Sequence, residues 1–443
     1  MSDISERARA PRPRTDRPRS AGAAIVALAV GGFTIGTTEF VTMGLIREIA
    51  AGVDVSIPTA GHVISAYALG VVVGAPLLAL LGARLPRRAL LVGLMLGYAA
   101  ANLLSAVASS YEVLMLARFL DGLPHGAYFG VASLVAADLV APERRGRAVA
   151  GVMLGLSVAN VVGVPAATWL GQHLGWRAAF AVVAVLSLVT VAWVLAIVPS
   201  LPADRGASGR RELRALGDPL VLLTLLAGAI GFGGMFAVYS YIAPTVTRVG
   251  GLGDGAVPVF LTAFGLGMVA GTWLAGRLAD WSVDRSLLIG AGGMALSLVA
   301  FWVLAPLGWA SAPAAFALTT LGSVLVVNLQ MRLMSVATDA PTLGSAMNHA
   351  ALNVANALGA WLGGLVIAAG AGYRATALVG IALALAGLVV LLLAAAVARG
   401  RALDPQPVTP GPSGVPTGPT RPTGPTRPVA VAAQPENSSR RTS

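Results

Sequence analysis

A chain of 443 residues that is 56% hydrophobic and only 11% charged has more apolar surface than one water-solvated core can hide. Arginine supplies all the basic charge behind the net +11, and most of that excess sits in the two chain ends, which points to membrane topology and away from a nucleic-acid surface. With no cysteine and four scattered histidines, disulfides, thiolate chemistry and a metal centre of that kind are excluded.

In chain order, residues 1–21 form an Arg-rich arm. Six apolar runs follow, near 22–46, 59–82, 89–108, 112–137, 147–171 and 176–198, each able to cross about 30 Å of hydrocarbon. They define a first bundle over 22–198. The first run is too long for a signal-peptide core and reads as a retained helix. Residues 199–218, with Pro199, Pro202, Gly206 and Gly209, read as a linker. Six more runs lie near 219–243, 257–279, 286–306, 312–337, 343–369 and 373–397, a second bundle over 219–397. The Pro/Gly/Thr repeats of the tail, 398–443, predict disorder. The fold class expected is an all-α membrane protein with twelve transmembrane helices in two pseudo-symmetric six-helix bundles.

Arginine placement orients it. With the N-terminus in the cytoplasm, the inner loops and tails hold twenty-four arginines, and the outer loops hold only Arg47, Arg177, Arg248 and Arg374. Both termini, the arm, the linker and the tail are therefore expected in the cytoplasm. Arg118 and Arg332 remain inside proposed spans.

The halves resemble each other. At an offset of 197, Ser65–Gly70 falls on Thr262–Gly267, Gly74 on Gly271, and Gly175–Ala178 on Gly372–Ala375; at 196, Val158–Asn160 and Gly163 fall on Val354–Asn356 and Gly359. Six helices repeated in parallel suit a transporter whose two bundles rock against each other. Small residues four apart (Gly151, Gly155, Ala159, Gly163; Ala263, Gly267, Gly271, Ala275; Ala351, Ala355, Gly359, Gly363) make smooth stripes, for generic helix packing or for gating.

Only Glu39 and Asp121 are acids well within spans, where a charge costs at least about 2.5–3.5 kcal/mol and normally faces a cavity or a partner. Arg118, Asp121 and His125 fall within about 60° of one helical face, at a depth Glu39 can share. Burial disfavours an ionised carboxylate and a nearby arginine favours it, so this set suits proton coupling; a static Arg118–Asp121 pair is the alternative. The second half has no mid-span acid. It offers Asn328, Gln330 and Arg332 in its fourth span and Asn348, Asn353 and Asn356 in its fifth; Asn160 and Asn356 are repeat partners. Tyr239 and Tyr241 either line a cavity or anchor the interface.

Residues 22–397 resemble the major facilitator superfamily, in particular its bacterial drug:proton antiporter branch and, within that, the arabinose-efflux-permease and chloramphenicol-resistance group. Gly36–Val41 (GTTEFV), Arg118–Gly126 (RFLDGLPHG), Ser157–Gly171 and Gly175–Arg177 carry the likeness. The family's loop motif G-x-L-A-D-R-x-G-R-R is matched by Gly276, Asp280 and Arg285 in the second half. In the first half Arg84, Arg87 and Arg88 remain, but Ala83 replaces the acid. The fifth-span antiporter motif maps to Gly155, Gly163, Pro165 and Gly171, with Val164 interrupting the usual Gly-Pro pair.

The resemblance implies alternating access through a cavity lined by helices 1, 4, 7 and 10 and a part for Arg118 in proton transfer, beside Glu39, Asp121 and His125, which the spacing of the intramembrane polar residues assigns to proton coupling. Asn160, Tyr239, Asn328, Gln330, Arg332, Asn353 and Asn356 are the expected cavity residues. Export of a small amphiphilic drug or natural product against inward proton flow is the expected function, in a bacterial inner membrane. Sugar or small-metabolite efflux is one alternative and a non-transporting sensor or assembly partner another. No enzyme activity and no cofactor are expected, the proton gradient being the energy source. The partners expected are a small-molecule substrate, protons and the bilayer, with no nucleic acid and the chain acting as a monomer.

Overall fold

The computed structural model describes residues 21–82, 84–200, 217–253, 255–337 and 340–403. Residues 1–20 of the arm, 201–216 of the linker, Ala83 and 404–443 of the tail lie outside the described residues. Twelve long helices run through the described chain: α1 (Ala21–Gly44), α2 (His62–Gly82), α3 (Arg87–Val107), α4 (Tyr111–Asp138) and α5, which starts as Arg145–Val158 and continues as Val164–Leu174. They continue with α6 (Trp176–Ile197), α7 (Pro219–Gly231 and Gly233–Tyr239), α8 (Ala256–Trp281), α9 (Val283–Leu304), α10 (Ala312–Val336), α11 (Pro341–Ala368) and α12 (Ala375–Leu403).

Apolarity alone picks out ten spans, one of which, Val283–Val336, contains both α9 and α10. The helix it omits is α4. Arg118, Asp121, Pro124 and His125 lower its hydropathy, yet its 28 residues reach about 42 Å, more than the hydrocarbon requires. Elsewhere the protein is apolar outside: Leu103, Leu116, Val185, Leu296 and Leu393 stand exposed, while Thr38, Asn102, Arg118 and Asp121 are buried. Such a surface suits lipid as solvent.

The internal repeat reappears as repeated packing. In the first half α2 lies on α4 and α1 on α5; in the second, α8 lies on α10 and α7 on α11. The close contacts keep the sequence offset. Gly70 meets the Phe119 carbonyl and Gly74 the Leu123 carbonyl, just as Gly267 meets that of Phe316 and Gly271 that of Thr320. The small-residue stripes mostly work inside each half: Gly155 and Gly163 seat α5 on Ala29, Phe33 and Thr37 of α1, and Gly359 seats α11 on Gly233 and Ala237 of α7. Generic packing is what the stripes do here, because without a hydrophobic drive in lipid, helices associate by close backbone approach.

Between the α5 segments the chain makes a π-helical turn, Ala159–Gly163. Pro165 lacks an N–H to close an α-turn, and a π-turn absorbs the mismatch. The halves meet along two seams, α5 against α8, and α2 with α4 against α11. The end at which α1 begins and α12 ends is termed the terminal face.

Candidate functional site

A cavity lined by both halves lies between them. The first half contributes Glu39, Phe40, His125, Met153, Leu156, Ser157 and Asn160. The second contributes an aromatic and aliphatic wall, Phe232, Met235, Phe236, Tyr239, Phe264, Met268, Val326, Val327 and Leu352, interrupted by Thr272, Thr319, Ser323, His349, Asn353 and Asn356. Helices α5, α8 and α11 therefore join the expected α1, α4, α7 and α10.

Adjacent residues of α1 divide the polar labour. Thr38 turns into the first half, where its hydroxyl donates to Asn102 Oδ1 at 3.1 Å and its carbonyl accepts from Arg118 at 3.4 Å. Glu39, about 100° further round the helix, turns into the cavity and makes no hydrogen bond or ion pair among the described residues. Arg118 is close enough for its charge to reach Glu39 through space.

Arg118 and Asp121 are both buried and pair with each other on α4. Asn102 donates to Asp121 at 2.5 Å, and the Arg118 guanidinium lies over the Tyr67 ring (4.5 Å) and towards Phe180 (5.5 Å). This cluster ties α1, α2, α3, α4 and α6 together, and neither of its charges lines the cavity. A buried charge left alone is costly, which is why the partner sits one turn away. His125, one turn further on, does reach the cavity. Its Nδ1 is 2.8 Å from the Tyr67 hydroxyl and its Nε2 is 3.1 Å from Nδ1 of His349 on α11.

The expected cavity residues divide. Asn160, Tyr239, Asn353 and Asn356 line it; Asn160 donates to the Leu156 carbonyl (3.1 Å), Asn353 to that of His349 (3.0 Å), and Tyr239 stands edge-on to Phe264 (5.4 Å). Asn328, Gln330 and Arg332 do not. Gln330 shares the cavity face of α10 with Ser323 and Val326 but lies beyond the point where the halves close, donating to Ser345 and, across the halves, to Ser133. Asn328 points away, donating to the Val324 carbonyl. Arg332 is one turn from the end of α10 and pairs with Asp284 at the start of α9, so it belongs to the terminal face and is not a mid-span charge. Tyr241 donates to the Ala360 carbonyl (2.8 Å) and is an anchor. Asn348 is buried.

At the terminal face, Asp280 Oδ1 accepts from the backbone N–H groups of Gly146 (2.7 Å) and Arg147 (3.3 Å), while Oδ2 accepts from Arg147 Nε (2.5 Å). An acid from α8 thereby caps the start of α5, where free N–H groups favour negative charge. Gly276 allows the approach, since a Cβ there would lie 3.0 Å from Arg147 Cα. Arg285 sits over Trp281 (5.1 Å). In the first half's loop, Arg87 pairs with Asp138 and Arg88 donates to the Val198 carbonyl (3.4 Å), both within that half, and Arg84 is exposed. In the fifth-span motif, Gly171 packs on Leu45 and Pro165 follows the π-turn.

Among the described residues every hydrogen bond between the halves lies either at the cavity (Ser157–Thr272, 2.8 Å; His125–His349) or on its terminal-face side (Ser133–Gln330; Gly146 and Arg147 with Asp280). The terminal face is closed.

Sequence reasoning misses His349 and the phenylalanine and methionine lining. His349 is legible as a titratable residue beside Asn348 and Asn353; the apolar lining looks like ordinary packing until the helices are assembled.

A model of the Major Facilitator Superfamily matches residues 28–348. The inner membrane transport protein YdhP of Escherichia coli (strain K12) is 44% identical over 376 residues, 83% of this chain and 94% of that one. A chloramphenicol resistance protein of Streptomyces lividans is 39% identical over 336 residues, 75% of this chain and 86% of that one. The solved structure of the transporter FucP in its outward conformation aligns with a TM-score of 0.68 at 13% identity, over 84% of this chain and 98% of that chain, a likeness of fold.

Proposed function

This chain belongs to the Major Facilitator Superfamily, and from that membership we propose that it is a proton-driven exporter of a small amphiphilic compound in a bacterial inner membrane. The observation that carries the reading is Glu39, an acid facing the cavity with no ion-pair partner among the described residues, opposite a wall of phenylalanine, tyrosine and methionine. Such a wall takes apolar and aromatic surface, and the few amides and hydroxyls fix orientation. A sugar calls for denser hydrogen bonding. The name of the Streptomyces lividans relative, a chloramphenicol resistance protein, agrees with an antibiotic-like cargo.

The arginine excess in the loops and tails of that side supports a cytoplasmic terminal face. The state described is then closed on the inside, and protons enter the cavity from outside. Glu39 takes a proton there and releases it after the halves rock, while the cargo moves the other way. Arg118–Asp121 holds the first half rigid around that acid.

The test is an accumulation and toxicity panel in an efflux-deficient bacterium, with empty vector, wild type and Glu39→Gln at matched expression, across phenicols, cationic dyes and simple sugars. Wild type should lower accumulation of an amphiphile, and either Glu39→Gln or collapse of the proton gradient should return it to the empty-vector level. Full export by Glu39→Gln would sink the coupling role of Glu39, and lowered accumulation of sugars alone would replace the cargo.

A further inference from the structure

We propose that His125 and His349 form a proton-operated latch across the closed terminal side of the cavity, a protonation site separate from Glu39; this rests on the chain being a rocking transporter. The two imidazoles belong to different halves and meet at 3.1 Å between Nε2 of His125 and Nδ1 of His349, with ring centroids 5.0 Å apart. Both residues are buried, yet both line the cavity. Their position is held from each side. The Tyr67 hydroxyl of α2 bonds the far nitrogen of His125, and Phe129 of α4 stacks on His349 at 4.4 Å and 15°. Gly126 and Gly130 bring α4 onto α11, a Cβ at Gly130 lying 3.0 Å from both the Thr342 carbonyl and the Ala346 nitrogen.

One nitrogen of this arrangement has no partner: Nε2 of His349 is buried and unbonded. In the tautomer whose His349 Nδ1–H donates to His125, this nitrogen is bare and is the point at which a proton reaching the cavity meets the pair. The bond between the rings needs a donor and an acceptor, so at least one of the two facing nitrogens must be bare. The pair with no added proton is bonded, and one added proton leaves a charge-assisted bond. A second proton turns both facing nitrogens into donors and sets two cations in contact, and the latch opens.

The other titratable and charged groups around it do not supply a counter-charge in contact. Tyr67 comes from α2, Arg118 and Asp121 of α4 neutralise each other one to two turns away, Glu39 of α1 faces the same cavity, and α10 and α11 contribute the uncharged Gln330, Asn348 and Asn353. Hydrophobic contact between Ala75 and Ala79 of α2 and Leu343, Ala346 and Ala350 of α11 continues the seam without charge. The histidine pair is the titratable element of this seam.

The chain has no cysteine, which permits spin labels at two introduced ones, Leu81→Cys at the end of α2 and Ser335→Cys at the end of α10, both exposed at the terminal face. Distance distributions are recorded in lipid nanodiscs from about pH 8 down to about pH 4, past the range of a free imidazole, because a second cation beside the first needs a lower pH than one alone. In the otherwise wild-type protein the long-distance population should grow as pH falls. His349→Gln and His125→Gln keep a hydrogen-bonding amide that does not titrate, so at low pH their distributions should stay shorter than wild type, with only the response that Glu39 contributes. His349→Phe, which can stack on Phe129 but cannot bond, should show long distances at every pH. Glu39→Gln fixes the other acid in its neutral form, so it should shift the baseline distribution but keep the part of the pH response that both histidine variants lose.

A pH response in His349→Gln equal to wild type, or no response in wild type, overturns the latch. The Glu39 flux assay is unaffected by either result, so failure of the latch and failure of proton-coupled export are distinguishable.

Discussion

The two seams that close the terminal face are repeat partners built from different chemistry. In the α5–α8 seam a carboxylate does the closing: Asp280 caps the first N–H groups of α5, and Ser157 and Thr272 add a bond at 2.8 Å nearer the cavity. In the α2/α4–α11 seam the contacts are alanine and leucine side chains, two glycines and a histidine pair. The offset of 197 sets Ala83 opposite Asp280, so the sequence itself lacks the acid on that side. A duplicated scaffold can keep its packing and still let one seam be held by fixed charge and the other by groups that titrate. Two unlike locks let two signals bear on one motion.

The difference between the seams breaks first at Gly130. Leucine there would drive its Cβ to about 3.0 Å from two backbone atoms of α11, which cannot give way as a side chain can. Overpacking costs typically about 1–3 kcal/mol, and a backbone obstacle sits at the upper end. Export should fall to the empty-vector level, and the spin-label distance should lengthen at every pH. Gly93→Leu, on α3 where a Cβ would meet nothing within 4 Å, is the matched control and should leave both readouts unchanged.

A smaller effect is expected at the other seam. Asp280→Ala leaves the Gly146 and Arg147 N–H groups without their acceptor, a cost of about 1–3 kcal/mol to the closed state. The Arg147 side chain is half exposed and adds little. The ratio of closed to open molecules should drop by about 5–150-fold, with transport altered in rate but present. Its pH response should survive, because the latch lies on the opposite seam. A flat pH response in Asp280→Ala would show that the seams are not independent.

The spans and the duplication are legible in the sequence because each is a long-range regularity: about twenty apolar residues in a run, or one pattern repeated 197 residues on. Glu39, His125 and Asn160 are legible for a similar reason, since a polar residue in lipid must face something. What the sequence does not carry is depth relative to the closing plane. Gln330 has the correct face of α10 and the wrong side of the closure, and Arg332 has neither. Phe232, Phe236 and Met235 bear no mark that separates a cavity wall from packing. His349 acquires its meaning only from His125, 224 residues away.

The smallest change is the one that would make the seams alike. Ala83→Asp restores, by the repeat, the acid that Asp280 supplies in the second half, and α11 begins at Pro341 with the free N–H groups of a helix start. By the repeat, the helix start such an acid would serve is that of α11, and an acid near a helix start is worth about 0.3–1 kcal/mol. Transport should therefore persist, slowed by a factor of about two to five, with the long-distance population appearing only at lower pH than in wild type. Loss of transport at normal expression would mean that the fixed charge is incompatible with this seam, and that its absence at position 83 is a requirement of the titrating lock.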